Sequence, residues 1–476
     1  YGTEGNDNIW AASLNLGWGK GIITKGGNDK VHAAAFSLKV RDTWGDLDVY
    51  GAGGYTQIYK SGNGRLTFYG ASGGLKLEHT GSYGDLNLRS VAVSSTALRR
   101  GYSGNLDIWS AAAHTSYKLF TKYGNLISRT AAAYMNLERR SNGYSSSSGH
   151  MRIYGAGAWT KAYSDVEYGD MTGYTVSGNG VFKRYGRSSN VDLKLIGINN
   201  EVYHHSTRGN TKVYALGGRN YIEKKSRYDW NSSRGNLVAT VAGLRNNIIH
   251  ETRYGDITVG GAAISSKITR IGDEGNAKIF GLGIDNEINI KMQKGHLEYI
   301  GASASNRIAI RSRAWGRLWL RSNYSANIGL VGLYNKVRHD TARGNITVSG
   351  GGGYTEVNRY AYDASLTANL GGVANNVYLK STYGNFAFNG IGAANILRNY
   401  SKNGFTKVIA GGVGNTLTRT GNGNGDIVMV GGGNHINWNG KGNLKAKLGG
   451  LTINHLTRRG DGDNEFFLVG LVGNIA

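Results

Sequence analysis

Lys60, His79, Arg99, Arg139, Arg184, His204, Lys224, His250, Arg270, His339, Arg359 and Arg419 recur at one fixed place in a repeating unit. Cations held in register along a repeat can pair with the phosphate, sulfate or carboxylate groups of an anionic lipid surface or an acidic glycan. Like charges stacked one coil apart repel, so selection for scaffold alone would tend to interleave signs. Two readings follow for this stripe. One is an anion- or membrane-binding edge; the other is a solvated edge that only blocks lateral aggregation. The histidines among these residues predict a stripe that gains charge at mildly acidic pH and then binds anions more strongly.

Catalytic chemistry has little support. Asp46, Asp85, Asp170, Asp256, Asp426 and Asp463 sit where turns are expected, and there Asp accepts backbone hydrogen bonds. No His-x-x-x-His spacing comes with a third ligand. His204 and His205 fall on opposite faces of a strand, which argues against shared metal ligation. A polysaccharide-degrading β-helix enzyme would need a carboxylate and arginine cluster in a groove, and none is found. The chain is therefore expected to be non-enzymatic, with no cofactor and no resident metal. It contains no cysteine, so disulfides and thiolate metal sites are excluded.

The unit that must position the basic stripe is about twenty residues long. It opens on a glycine at 45, 64, 84, 104, 124, 149, 169, 209, 235, 255, 275, 295, 344, 384, 404, 425, 442 and 462, with Ser189, Tyr324 and Ala364 in three further places. Of the 20 steps between these anchors, 14 are 20 residues long, which marks a repeat architecture. Counting the anchor as zero, positions 2, 4 and 6 are apolar or small, as in Leu47, Val49 and Gly51. That alternation predicts a strand with one face buried. Small residues follow, and position 13 returns a large aliphatic such as Ile58, Leu77 or Leu137.

Position 11 carries asparagine as Asn200, Asn220, Asn246, Asn286, Asn306, Asn335, Asn375, Asn395 and Asn415. By strand parity these amides point inward, where each needs a partner; a structural stack of asparagines between coils supplies it. The predicted fold is all-β: a single elongated parallel β-solenoid of about 20-residue coils with two strands per coil. Residues 1–44 are expected to form irregular opening coils and residues 45–476 the repeat solenoid. The apolar run 466–473 predicts continuation of the repeats in a larger protein.

Composition supports this reading. The chain has 476 residues, 76 glycines and no proline, so tight corners are available and every backbone N–H can enter a ladder. Its formal net charge of +24 favours acidic partners; specific nucleic-acid recognition is not expected. No apolar run is long enough for a membrane helix. Aromatics precede the anchor at Trp44, Tyr83, Tyr123, Tyr168, Tyr254 and Tyr383, and Tyr50, Tyr69, Trp109 and Tyr154 are expected to face outward. Such a surface suits a membrane interface or sugar stacking, and aromatic ladders also stabilise solenoids. Extra residues at 141–148, 226–233 and about 309–323 should emerge from one corner.

The segments Gly51-Ala52-Gly53-Gly54-Tyr55, Tyr254-Gly255-Asp256-Ile257-Thr258-Val259-Gly260-Gly261 and Arg343-Gly344-Asn345-Ile346-Thr347-Val348 share a pattern. With the recurrent Gly-x-x-Asn-x-aliphatic pattern, as from Gly217 to Ile222 and from Gly283 to Ile288, they resemble the N-terminal glycine-rich repeat region of the multifunctional autoprocessing repeats-in-toxin family. The resemblance covers nearly the whole chain. It implies type I secretion from a Gram-negative bacterium and an extracellular virulence role at the host cell surface. It also implies repeats that engage the host membrane, support pore formation and help effector domains cross, with self-assembly of several rods as one route. Residues 5–9 and 26–31 echo the nonapeptide of calcium-binding β-rolls, but consecutive nonapeptides are missing, so calcium is a minor expectation. The alternative function is an extracellular structural or adhesive rod that binds acidic glycans or other anionic surfaces.

Overall fold

The computed structural model describes residues 1–16, 21–141, 143, 146–312, 320–470 and 472–475. Two compact units, Tyr1–Val241 and Ala242–Ala476, make up the chain. Both are all-β, built as parallel β-solenoid with coils about 20 residues apart. Leu47–Ser61, Leu66–Thr80 and Leu86–Ser103 lie side by side in the first unit, and Ile346–Tyr360, Leu366–Tyr383 and Phe386–Asn403 do so in the second. Equivalent positions meet in register: Leu47 pairs with Leu66 and Leu66 with Leu86.

Each coil is one long strand with two arms rather than two separate strands. The ladder skips one residue near position 9. Gly53 pairs with Ser72 and Tyr55 with Gly74, leaving Gly54 and Gly73 outside the register. The same gap leaves Val93 and Ala113 unpaired, and Leu333 and Gly353 in the second unit. One skipped residue reverses the alternation, so positions 2, 4 and 6 face inward on the first arm and 11, 13 and 15 on the second. Toward the C-terminal end the arms separate, as Leu444–Gly450 and Ile453–Arg459 in the Gly442 coil and Asn464–Val469 and Val472–Ile475 in the next, and Asn8–Leu16 and Ile22–Ile23 are likewise separate in the Gly5 coil.

The core between the arms is a set of stacked columns. Leu47, Leu66, Leu86, Leu106 and Leu126 are buried at position 2, and Ile58, Leu77, Ala97, Tyr117 and Leu137 at position 13. The opening glycine is required where its φ is positive, +122° at Gly84 and +150° at Gly104. A Cβ on either would lie 2.0 Å from the previous anchor's carbonyl oxygen. Ser189, Tyr324 and Ala364 avoid the positive φ and turn their side chains into the core, where Tyr324 donates to the His296 carbonyl at 3.1 Å. The Asn or Asp after the anchor builds a ladder of its own. Asp85 Oδ1 accepts from the Asn105 N–H, Asn105 Oδ1 from Asn125 and Asn125 Oδ1 from His150, at 2.7, 2.8 and 2.9 Å.

One expectation about the frame is corrected. Gly425 is not an anchor: it pairs with Thr406 and Leu444 as a position 2, and the anchor is Gly423, with φ +121° against the Gly404 carbonyl. The short spacing between two glycine-rich turns concealed the shift. Residues 1–44 are irregular in spacing yet already carry coils, because Asn8–Leu16 pairs with Asp29–Asp42 and the latter with Leu47–Ser61. Their anchors are Gly5 and Gly27.

The asparagine stack is present. Nδ2 of Asn200 donates to Oδ1 of Asn220 at 2.9 Å, Asn306 to Asn335 at 2.8 Å, Asn375 to Asn395 at 2.9 Å and Asn395 to Asn415 at 2.7 Å. Asn286 reaches Asn306 at 3.4 Å, and Asn246 is buried at the same position. Corrected for Gly423, the stack continues through Asn434 and Asn454. Replacing Asn395 with Leu removes a donor and an acceptor and strands their neighbours. A loss of about 3 kcal/mol is expected from ~1–3 kcal/mol per orphaned group. Hydrogen exchange should show it as faster opening of Phe386–Asn403 and Thr406–Thr420; unchanged protection there would contradict the role assigned to the stack.

Candidate functional site: an apolar corner above a buried cation column

Position 15 does not form a surface stripe. None of Lys60, His79, Arg99, Arg139, Arg184, His204, Lys224, His250, Arg270, His339, Arg359 and Arg419 is more than 1 % exposed. Parity explains the placement, since position 15 shares its face with 11 and 13. In later coils lacking a base here, the same place is filled by buried Leu119, Ser164, Ile290, Ile310, Leu379, Asn399 or Trp438.

The arginines close the turn corner from inside. Nε of Arg139 donates to the Gly124 carbonyl at 3.0 Å and a terminal nitrogen to the Thr121 carbonyl at 2.7 Å. Arg184 repeats this on Gly169 and Val166 at 3.0 and 2.8 Å. Arg270 reaches the Thr252 and Gly255 carbonyls at 2.8 and 2.7 Å, and Arg359 reaches Thr341 and Gly344 at 2.8 and 2.9 Å. Burial pulls Arg139 and Arg359 down to about 9, still well above neutrality. Lys60 instead pairs with Asp42 at 2.6 Å, and Asp42 is itself position 15 of the Gly27 coil.

The histidines reverse the expected pH response. Burial, then the neighbouring Arg99 and Lys60, push His79 down to about 3. Burial beside Lys224 and Arg184 holds His204 well below its ordinary value, and burial beside Arg359 does the same to His339. Neutral rings bond within the core: His204 to Ser189 and Thr211 at 3.0 and 2.7 Å, His339 to Thr341 at 3.1 Å.

The surface feature that sequence reading passed over is the corner at positions 7 to 9. From the Gly5 coil to the Gly442 coil, positions 7 and 9 hold only Ala, Gly, Val, Leu, Ile and Phe. No charged or hydrogen-bonding side chain occurs at either position in about 22 coils of a chain whose charged fraction is 18 %. Phe36, Val93 and Ile198 in the first unit, and Leu333 and Ile391 in the second, are 66–75 % exposed. Within each unit, an exposed apolar row of this kind marks an interaction site.

Polar groups of this corner are met from within. Nδ2 of Asn200 donates to the Leu216 carbonyl at 3.2 Å, Asn306 to Val331 at 3.3 Å, Asn395 to Gly411 at 3.1 Å and Asn434 to Gly449 at 3.1 Å. Each acceptor is position 7 of the following coil. From Asn200 onward the corner thus turns side chains outward while position-7 carbonyls are answered by the buried stack; in the coils from Gly45 to Gly169 position 11 holds Thr, Leu, Ser, Met or Gly instead.

Aromatic and basic side chains flank the corner. At position 5, Trp10, His32, Tyr50 and Tyr69 stack at 4.0, 4.8 and 5.3 Å between centroids, each pair 7° from parallel. The column continues as Arg89, Trp109, Arg129 and Tyr154, with guanidinium carbons 4.9 and 4.6 Å from the Trp109 ring. At position 10, Tyr134 stacks on Trp159 and Tyr334 on Tyr354. Of the extra residues, 226–233 fold back along the second arm, and Arg227 bonds Asp165 at 2.6 Å. Residues 142, 144–145 and 313–319 of the other two lie outside the described residues. Among the described residues no group of three potential metal ligands occurs.

Compared with family models, curated proteins and solved structures, the chain matches none.

The buried histidines make stability depend on pH. Their folded values are depressed, so their contribution is full above the unfolded value of about 6.5 and is lost as pH falls toward the folded one. Each should cost about 1.4 kcal/mol per pH unit below that point. Melting curves from about pH 7 to about pH 5 should fall steeply for the parent chain and much less for His79→Gln/His204→Gln/His339→Gln. Equal slopes would contradict the assignment.

Proposed function

We propose that the chain is a non-enzymatic repeat module of a secreted bacterial toxin that engages a host cell membrane through the apolar corner and supports pore formation and effector translocation. The corner carries this reading. A bilayer accepts backbone only where its polar groups are satisfied internally, and the asparagine stack provides that at position 7. Tyrosine and tryptophan beside an apolar band match the preference of these rings for the membrane–water boundary. A formal charge of +24 adds attraction to anionic headgroups. The same charge opposes corner-to-corner pairing of two copies, which favours lipid over self-association as the first contact.

The alternative, an adhesive rod for acidic glycans, draws on the outward polar face of the second arm. There Tyr203 bonds Glu201, and Tyr221 and His205 bond Glu223. The same face carries bases too, Lys225 beside Glu223 among them, so charge does not separate the two readings; the exposed apolar corner, which a glycan does not need, favours the membrane.

Vesicle flotation tests it. Leu282→Asp, Ile284→Asp, Val331→Asp and Leu333→Asp together place charge on an exposed part of the corner without touching the core. At roughly 1.5 kcal/mol per apolar side chain, binding to anionic vesicles should drop by more than about a hundredfold with an unchanged circular dichroism spectrum. Retained binding would contradict the role of the corner. Dye release separates the two functions: leakage is expected of a translocation module, whereas binding without leakage favours the rod.

A further inference from the structure

In the first unit the corner opens beside a hollow of about 490 Å³. Its walls are position-5 side chains of successive coils, Tyr174, Lys194 and Tyr214. Asp192 and Lys212 lie behind them, and Ile196 and Leu216 form the rim on the corner itself. The rim residues are 39 % and 53 % exposed, so an apolar edge and two ammonium groups share one recess. Lys212 Nζ stands 5.3 Å from the centre of the Tyr214 ring. A hydrogen bond to Tyr214, then the charges of Tyr214 and Asp192, raise its pKa and keep it protonated.

Deepening the membrane reading on which it rests, we propose that this recess binds the headgroup of an anionic phospholipid that also carries an ammonium, as phosphatidylserine does. Lys194 and Lys212 take the phosphate and carboxylate oxygens in charge-assisted contacts; a phosphocholine headgroup offers the phosphate alone and so answers one lysine rather than both. Asp192 takes the ammonium. The first acyl methylenes lie over Ile196 and Leu216, continuous with the rest of the corner. Recognition of a single lipid class by one recess adds specificity to a contact whose remaining length is apolar and sequence-blind.

The test uses the full chain and flotation with vesicles of phosphatidylcholine alone, or mixed with phosphatidylserine or with phosphatidylglycerol at equal charge. The parent chain should prefer the serine lipid. Lys194→Ala/Lys212→Ala should bind the serine vesicles about thirty-fold more weakly, at roughly a factor of five per lysine near an anionic surface. Lys39→Ala/Lys76→Ala, the same charge change on the second arm, should lose little. Asp192→Asn should keep binding but no longer distinguish serine from glycerol headgroups. Parental binding by Lys194→Ala/Lys212→Ala, while the corner aspartates abolish it, overturns the recess and leaves the membrane reading standing. No binding of the parent chain to any vesicle overturns both. Calorimetry with soluble glycerophosphoserine separates the sources of the headgroup: weak binding is expected, and vesicle-like affinity would show a free-headgroup site and overturn the lipid assignment.

Discussion

A chain wound into parallel coils must bend, and at each bend some carbonyls lose their place in the ladder. The rest of this structure depends on how those carbonyls are answered. A buried carbonyl without a donor costs about 1–3 kcal/mol, and the cost recurs in every coil. The chain uses one buried polar column for each corner. Asparagine at position 11 donates to position 7 of the next coil, as Asn395 does to Gly411. Arginine at position 15 donates to the turn around the anchor, as Arg184 does to Gly169 and Val166. A long guanidinium with several fixed donors suits the wider turn corner, and a short amide suits the tighter one.

The two columns leave the corners chemically opposite. At the turn corner the Asn and Asp ladder faces water, while the anchor carbonyls are held by the buried arginines. At the other corner the polar work is done from inside, so the exposed positions can be purely apolar. A membrane-facing edge needs that division, because lipid offers no donors to an orphaned carbonyl. In the proposed membrane contact, aromatic columns at positions 5 and 10 would stand where water gives way to lipid. Tyr50 over Tyr69 on one side and Tyr134 over Trp159 on the other are instances.

Much of the scaffold was legible in the sequence. The twenty-residue period, the inward run at positions 2 and 4, and the asparagine stack all follow from alternation and spacing. Position 15 was not legible: a base two places beyond Ile58 or Leu137 shares their buried face, and except for Asp42 beside Lys60 its partners are backbone carbonyls and neighbouring hydroxyls rather than acids that a sequence would show. The register shift at Gly423 had a related cause, for two glycines two residues apart look alike until their partners are known. The apolar corner was visible only as an absence, the lack of any polar residue beside glycines that read as simple punctuation. Its exposure could not be inferred without the skipped residue that turns the chain there.

The chain has no cysteine, so a single introduced thiol carries a label without ambiguity. The most direct measurement attaches an environment-sensitive fluorophore at Ala111→Cys or Ala131→Cys on the corner, at Ser82→Cys on the opposite turn, and at Ser116→Cys on the second arm. On adding anionic vesicles, the account predicts a blue shift and quenching by brominated acyl chains at Ala111 and Ala131, with neither at Ser82 or Ser116. Lipid contact at Ser82 or Ser116, with Ala111 and Ala131 remaining in water, would contradict it.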